Sequence, residues 1–389
     1  MSAGTCTDDA VARAGLTAIA MPGDPLMRTL LEHHPPELIW SALRAGSPLL
    51  STADDPAKAA RLRRWQAKAK EVDTDVLLTL AAEAGIRLVV PSDPEWPSQL
   101  ESLGPTRPCA LWVRGAHDLR NACLRSVAVV GARAATAYGL HVAGELSHTL
   151  SERGWSVVSG GAYGIDGAAH RGALAGSCAT VVVLACGLDV GYPRGHDRLF
   201  TDIAERGVLV SEHPPGAVPT RKAFLVRNRI IAALTPGTVV VEAGTRSGAI
   251  NTATHARDLL RVLMAVPGPV TSALSAGCHR LLRDWQAVCV TDAHDIIEQV
   301  GHIGADLRPD DAPLLEHDDL DATARTLVAA LSTTEEAGAV AVASATGLDL
   351  DAVLRGLGLL AAAGHVERVG AGWRVRSRKH RGSQGRDVR

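Results

Sequence analysis

The sequence predicts an α/β protein: a doubly wound, mostly parallel sheet, preceded by a small helical domain and followed by a winged helix. Three observations carry this. Residues 126–300 alternate short apolar β-rich runs with helical stretches, separated by Gly-containing turns. Residues 1–85 space their apolar side chains by three and four, the helical period. Residues 322–376 hold three compact helical patterns and then a hairpin pattern.

The first 85 residues supply the helical domain, of the small SAM or helix-hairpin kind. Leu26, Leu30 and Leu31 mark one helix and Leu38, Ile39 and Leu43 a second, with Pro35-Pro36 between them. Gly46-Ser47-Pro48 closes that pair, and a polar helix follows over Lys58 to Lys70. Domain 86–303 opens with a strand at Ile86–Val90, an extended connector rich in proline (Pro91, Pro94, Pro97) and a second strand at Ala110–Gly115. Six β-rich runs come next, at 126–130, 156–158, 179–184, 208–210, 238–241 and 262–266. Ligands of such sheets sit at the carboxyl ends of the strands, so the segments that follow each run are the places to search.

Residues 304–321 are acidic and turn-rich, which predicts a linker. In the winged helix, Leu350, Val353, Leu354, Leu357 and Leu360 form the apolar face of its third helix, and 365–375 the hairpin. The tail 377–389 is basic and predicted to be disordered.

Composition narrows the function. A formal net charge of -2 over 389 residues gives no global pull on nucleic acid, so an anion site must be a local patch. Five of the 40 basic residues are lysines (Lys58, Lys68, Lys70, Lys222, Lys379), so a lone Arg carries little information in this chain. The seven cysteines are scattered without metal spacing, as expected of reduced thiols in a cytoplasmic protein. Asp8, Asp9 and Arg13 interrupt any leader-like run, and no run reaches the ~20 apolar residues of a membrane span. Metal and cofactor sites are not expected.

The most informative stretch is Phe224-Leu-Val-Arg227-Asn228-Arg229, where a helical pattern begins. The chain has two Phe and three Tyr, so a Phe beside Arg221, Lys222, Arg227 and Arg229 stands out. An aromatic face among cations suits a surface that stacks a base and holds phosphates. The same residues also read as a core Phe with solvated arginines, and the stretch alone leaves both open.

Other strand ends add candidates. Arg133 and Thr136 follow the first of the six runs and open a helix, whose free N–H groups favour a phosphate. Ser159-Gly160-Gly161 follows the second, where paired glycines allow close backbone approach. Asp166 and His170 share a helix face, as a catalytic dyad or as a pin for that loop. Ser247-Gly248 opens a further helix N-terminus, and Glu242 stands at a strand end as an acid or base or as a partner of loop amides. No Ser/His/Asp or HExxH arrangement appears. Several phosphate-facing loops without a catalytic set point to polyanion binding rather than turnover.

Together these segments resemble the DNA-processing protein A family (DprA/Smf). The resemblance rests on Gly131-Ala-Arg133 with Tyr138-Gly139, Ser159-Gly160-Gly161 with Ile165-Asp166 and His170, Gly187-Leu-Asp189 with Tyr192-Pro193, and Ser211-Glu212. Phe224 with Arg227-Asn228-Arg229, Val241-Glu242-Ala243 with Ser247-Gly248, and Val266-Pro267-Gly268 complete it. It implies an extended Rossmann-like domain that binds single-stranded DNA, a homodimer, and transfer of the strand to the RecA recombinase in natural transformation. It also implies that Arg133, Arg221 or Lys222, Phe224, Arg227 and Arg229 touch the strand. Leu225 and Tyr163 depart from the family pattern, which usually has Pro and Arg there. The alternative is a nucleotide phosphoribohydrolase with Glu242 as its acid or base, faintly echoed by Glu242-Ala-Gly244-Thr245.

Overall fold

The computed structural model describes residues 7–47, 55–301, 320–332 and 335–376. These fall into two compact units, within 1–308 and within 309–389. The acidic stretch 304–319 and the basic tail 377–389 lie outside the described residues.

The first unit begins with five helices: α1 (Asp8–Ile19), α2 (Pro25–His33), α3 (Pro36–Ala45), α4 (Pro56–Glu71) and α5 (Thr74–Glu83). Asp24 and Asp55 cap α2 and α4 by accepting amide hydrogens of the first turn, and Pro follows each where the helix needs no donor. Leu16, Ile19, Leu30, Ile39, Trp40, Leu43 and Trp65 form the common core of α1 to α4. This layer is also fastened to the sheet that follows. Arg13 donates to the Cys109 carbonyl (2.7 Å), and the Trp112 indole donates to the Thr17 hydroxyl (3.2 Å). Ala14 and Ala81 share a core cluster with Ile86 and Trp112, so packing is continuous across residue 85.

The sheet has nine strands: β1 (Ile86–Val89), β2 (Leu111–Arg114), β3 (Ser126–Val130), β4 (Ser156–Ser159), β5 (Thr180–Leu184), β6 (Val208–Ser211), β7 (Gly237–Val240), β8 (Val262–Ala265) and β9 (Val288–Cys289). Their order is β1-β2-β6-β5-β4-β3-β7-β8-β9. Strands β3 to β9 pair in parallel, while β1 and β2 form an antiparallel edge on β6. The chain winds outward from β3 through β4 to β6 and returns to start β7 on β3's other side, so the switch point lies between β3 and β7.

Alternate residues of each strand face opposite layers. Val127 and Val129 pack under α7 (Ala137–Glu152), α8 (Ile165–Ala175) and α13 (Ala293–Val300). Ala128 and Val130 face the layer containing α6 (Leu119–Leu124), α10 (Arg221–Leu234), α11 (Gly248–Asp258) and α12 (Ala276–Asp284). Helix α9 (Asp197–Arg206) closes the β5–β6 end with Leu199, Phe200 and Ile203. The proline-rich connector expected to be extended instead contains a 3-10 segment at Ser98–Thr106, broken at Gly104, and α6 follows β2.

The second unit comprises α14 (Ala322–Ala329), α15 (Ala339–Thr346), α16 (Leu350–Ala362) and the antiparallel pair β10 (Val366–Val369) and β11 (Gly372–Val375). Val353, Leu357 and Leu360 enter its core with Leu327, Val342 and Val366. The apolar face of α16 is narrower than its sequence suggests, because Leu350 and Leu354 are exposed. Among the described residues no helix is long and apolar enough to cross a membrane.

Candidate nucleic-acid interface

Helix α10 carries the centre of the site. Thr220 caps it, the hydroxyl accepting from the Ala223 amide at 3.2 Å, and this sets Phe224 half-buried in the first turn. The exposed Arg133, on the loop after β3, lies with its guanidinium carbon 4.9 Å from the Phe224 ring centroid. Arg227 approaches the same ring at 6.0 Å, and Tyr192, from the loop after β5, lies 5.5 Å away ring to ring. A cation over an aromatic face contributes about 0.5–2 kcal/mol, the larger figure when desolvated. Tyr163 stands on the same rim, edge-on to His196 at 4.9 Å. Three of the five Phe and Tyr side chains of the sequence therefore gather at one point.

Beside Phe224 opens a crevice of ≈ 640 Å³ at the β3/β7 switch point. Arg133, Phe224, Asn228, Arg246, Ser247 and Gly248 line it. The N-terminus of α11 faces the crevice, its cap Ser247 accepting from the Ala249 amide at 3.3 Å. Arg221, Lys222 and Arg246 are exposed. The crevice thus combines free cations, an aromatic face and a helix N-terminus, the parts an anionic ligand with rings requires.

Beneath this surface the polar groups are engaged within the protein. Arg227 is buried; its Nη1 donates to the Gly160 carbonyl (2.6 Å) and to the Val183 carbonyl, and its Nε to Asn228 Oδ1 (3.2 Å). Burial lowers its pKa to about 10, opposed by the Asp166 carboxylate. Asn228 donates to Asn251 Oδ1 at 3.0 Å and so ties α10 to α11. These residues hold the floor of the crevice together, since one guanidinium joins the carboxyl ends of β4 and β5 to α10.

Several expected ligand groups turn inward. Arg229 points to the opposite side of α10 and forms a buried two-point pair with Glu212 (2.5 and 2.7 Å), with a further bond to the Thr106 carbonyl at 3.1 Å. Thr136 caps α7, but the anion at that N-terminus is the protein's own: Glu242 Oε2 accepts from the Thr136 amide (2.9 Å) and Oε1 from its hydroxyl (2.6 Å). Gly139 is required there, because a Cβ would collide with this carboxylate. Glu242 is buried with both oxygens held, which matches the loop-amide reading rather than that of an acid or base. Ser159 donates to the Val129 carbonyl (2.6 Å). Gly160 and Gly161 are buried and pack against Arg227, Val182 and Phe200 instead of offering backbone to a ligand.

Asp166 and His170 do not pair. Asp166 accepts from the Gly160 and Ala162 amides (3.2 and 3.3 Å), pinning the loop, and burial pushes its pKa up. The Thr180 hydroxyl donates its one hydrogen to the Val157 carbonyl, so His170 Nδ1 must be the donor to Thr180 Oγ1 (2.9 Å). Its Nε2 is left as a buried acceptor without a partner, and burial lowers the His170 pKa to about 3.

The sequence reading missed Arg246 as a crevice residue and Tyr192 as a neighbour of Phe224. The signals were their places in loops that follow β7 and β5, and in Tyr192's case the scarcity of aromatic residues.

A parallel sheet wound both ways from β3, with an open crevice at its switch point, places the first unit among Rossmann-like α/β proteins. Residues 87–301 match the family described as DNA recombination-mediator protein A. A DNA processing protein DprA of Mycobacterium tuberculosis is 48% identical over 308 residues, covering 77% of this chain and 79% of that protein. Protein Smf of Escherichia coli is 37% identical over 289 residues, covering 67% and 74%. The X-ray structure of DNA processing protein A from Streptococcus pneumoniae superposes with a TM-score of 0.63 at 28% identity, covering 76% of this chain and 99% of that one. The chain belongs to the DNA recombination-mediator protein A family.

Proposed function

We propose that this protein is a single-stranded-DNA-binding recombination mediator that works without catalysis. It covers incoming DNA, acts as a homodimer, and delivers the strand to the RecA recombinase in natural transformation. The observation that carries the reading is Arg133 stacked on a half-buried Phe224 at the mouth of the switch-point crevice. Phe224 offers a face to a base, and Arg133, Arg221 and Lys222 track the phosphates. Arg246 and the α11 N-terminus at Ser247 and Gly248 receive a further phosphate. Arg227 and Asn228 support this surface from below.

The second unit is a winged helix that serves a protein partner or autoregulation. The start of α16 carries Asp349, which caps the helix, and Asp351, a pair that repels phosphate. Fluorescence anisotropy with labelled single-stranded and duplex oligonucleotides at two salt concentrations tests the main reading. Salt-sensitive, sequence-tolerant binding that favours the single strand is expected; equal affinity for duplex overturns it.

A further inference from the structure

Helix α10 presents a second surface on the side away from the crevice. There Lys222 meets α4 across a groove of ≈ 300 Å³, lined also by Arg61, Arg64, Trp65, Lys68 and Asp24. Arg61, Arg64 and Lys68 share one face of α4 at i, i+3 and i+7. Asp24 engages Arg61 at 3.0 Å. Arg64, Lys68 and Lys222 are exposed, and none has a carboxylate partner among the described residues. Like charges brought together from segments some 150 residues apart in sequence repel one another unless an anion lies between them. Lys222 and Phe224 belong to the same turn of α10, so the groove and the crevice flank one helix N-terminus.

We infer that the α4–Lys222 groove is a second stretch of the nucleic-acid track. A single strand seated at Phe224 crosses the N-terminal turn of α10, and its phosphodiester backbone continues along Arg64 and Lys68. Trp65 is buried in the helical core, so the groove grips phosphates without stacking bases and adds length to the footprint without sequence preference. The role of the helical layer, on which the sequence motifs are silent, is to lengthen the bound segment.

This rests on the reading of Phe224 as a strand-binding residue, and oligonucleotide length separates the two. Wild-type protein and the R64A/K68A double variant are titrated with oligothymidylates of roughly six and roughly twenty nucleotides over a salt series. Each phosphate contact removed from a single strand lowers the slope of log K against log salt by about 0.7, so the long oligonucleotide should lose about 1.4 from its slope. The short one should bind both proteins alike, which also establishes that the variant is folded. An unchanged slope with the long oligonucleotide overturns the inference and leaves the Phe224 site standing. So does an equal loss at both lengths, which makes the groove part of the primary contact. Wild-type protein that binds neither length removes the functional reading and this inference with it.

Discussion

Replacing Arg229 by methionine separates support of the site from contact with the ligand. Arg229 and Glu212 are 5% and 8% exposed and joined at two points, so R229M strands a carboxylate in the interior. It also removes the donor to the Thr106 carbonyl, which links α10 to the 3-10 segment before β2. Removing one partner of a buried pair costs about 3–5 kcal/mol, because the remaining charge is uncompensated. The second change E212L should recover most of that loss, since a buried pair replaced by apolar groups is often close to neutral. Urea denaturation followed by tryptophan fluorescence measures both variants, and single-strand titration of folded R229M supplies the second readout. The slope of log K against log salt should match wild type. A slope reduced by about 0.7 with stability changed by less than about 1 kcal/mol would refute the reasoning and return Arg229 to the strand-contacting set.

Further expectations concern the crevice and the interior. F224A should weaken single-strand binding by about 1–3 kcal/mol without altering its salt dependence, whereas R133A should lower the salt slope by about 0.7. Anisotropy titrations distinguish them. E242Q should lose about 1–3 kcal/mol of stability in thermal or urea denaturation, because the Thr136 amide and hydroxyl donate to different oxygens of Glu242 and a Gln keeps an acceptor at only one of those positions. His170 is neutral when folded and binds a proton when unfolded, because burial lowers its pKa from 6.5 to about 3. Its contribution is therefore complete above the unfolded pKa and lost as pH falls from about 6.5 toward 3, by at most about 1.4 kcal/mol per pH unit. Denaturation at several acid pH values should show this slope in wild type and a shallower one in H170N; identical slopes would remove His170 as its source.

Strands β3, β5 and β6 are legible in the sequence because each is buried on both faces and reads as a Val-rich run. Strand β9 escaped notice because two residues, Val288 and Cys289, make no pattern. The 3-10 segment hid behind prolines that also suit an extended chain. Phe224 stood out by rarity, and Arg133 by its place after a strand. The division of labour among Arg227, Asn228 and Arg229 could not be read, because from Arg227 to Leu234 every residue of α10 is buried. That part of the helix has no polar stripe to indicate which groups each arginine meets. Only the positions of Glu212 and the Gly160 carbonyl, contributed by distant loops, decide that.

The antiparallel edge has a consequence for how the chain is made. Trp112, wholly buried, pairs across β2 with Ser211 of β6, a strand synthesised about a hundred residues later. At ~5–20 residues per second, β2 waits roughly 5–20 s on the ribosome for its neighbour. During that interval the newly made α1 helix, which contributes the Thr17 hydroxyl to the Trp112 indole, is the layer at hand to shelter it. The helical layer that borders the basic groove thus precedes, in order of synthesis, both the strand it covers and the strand that completes the sheet beside it.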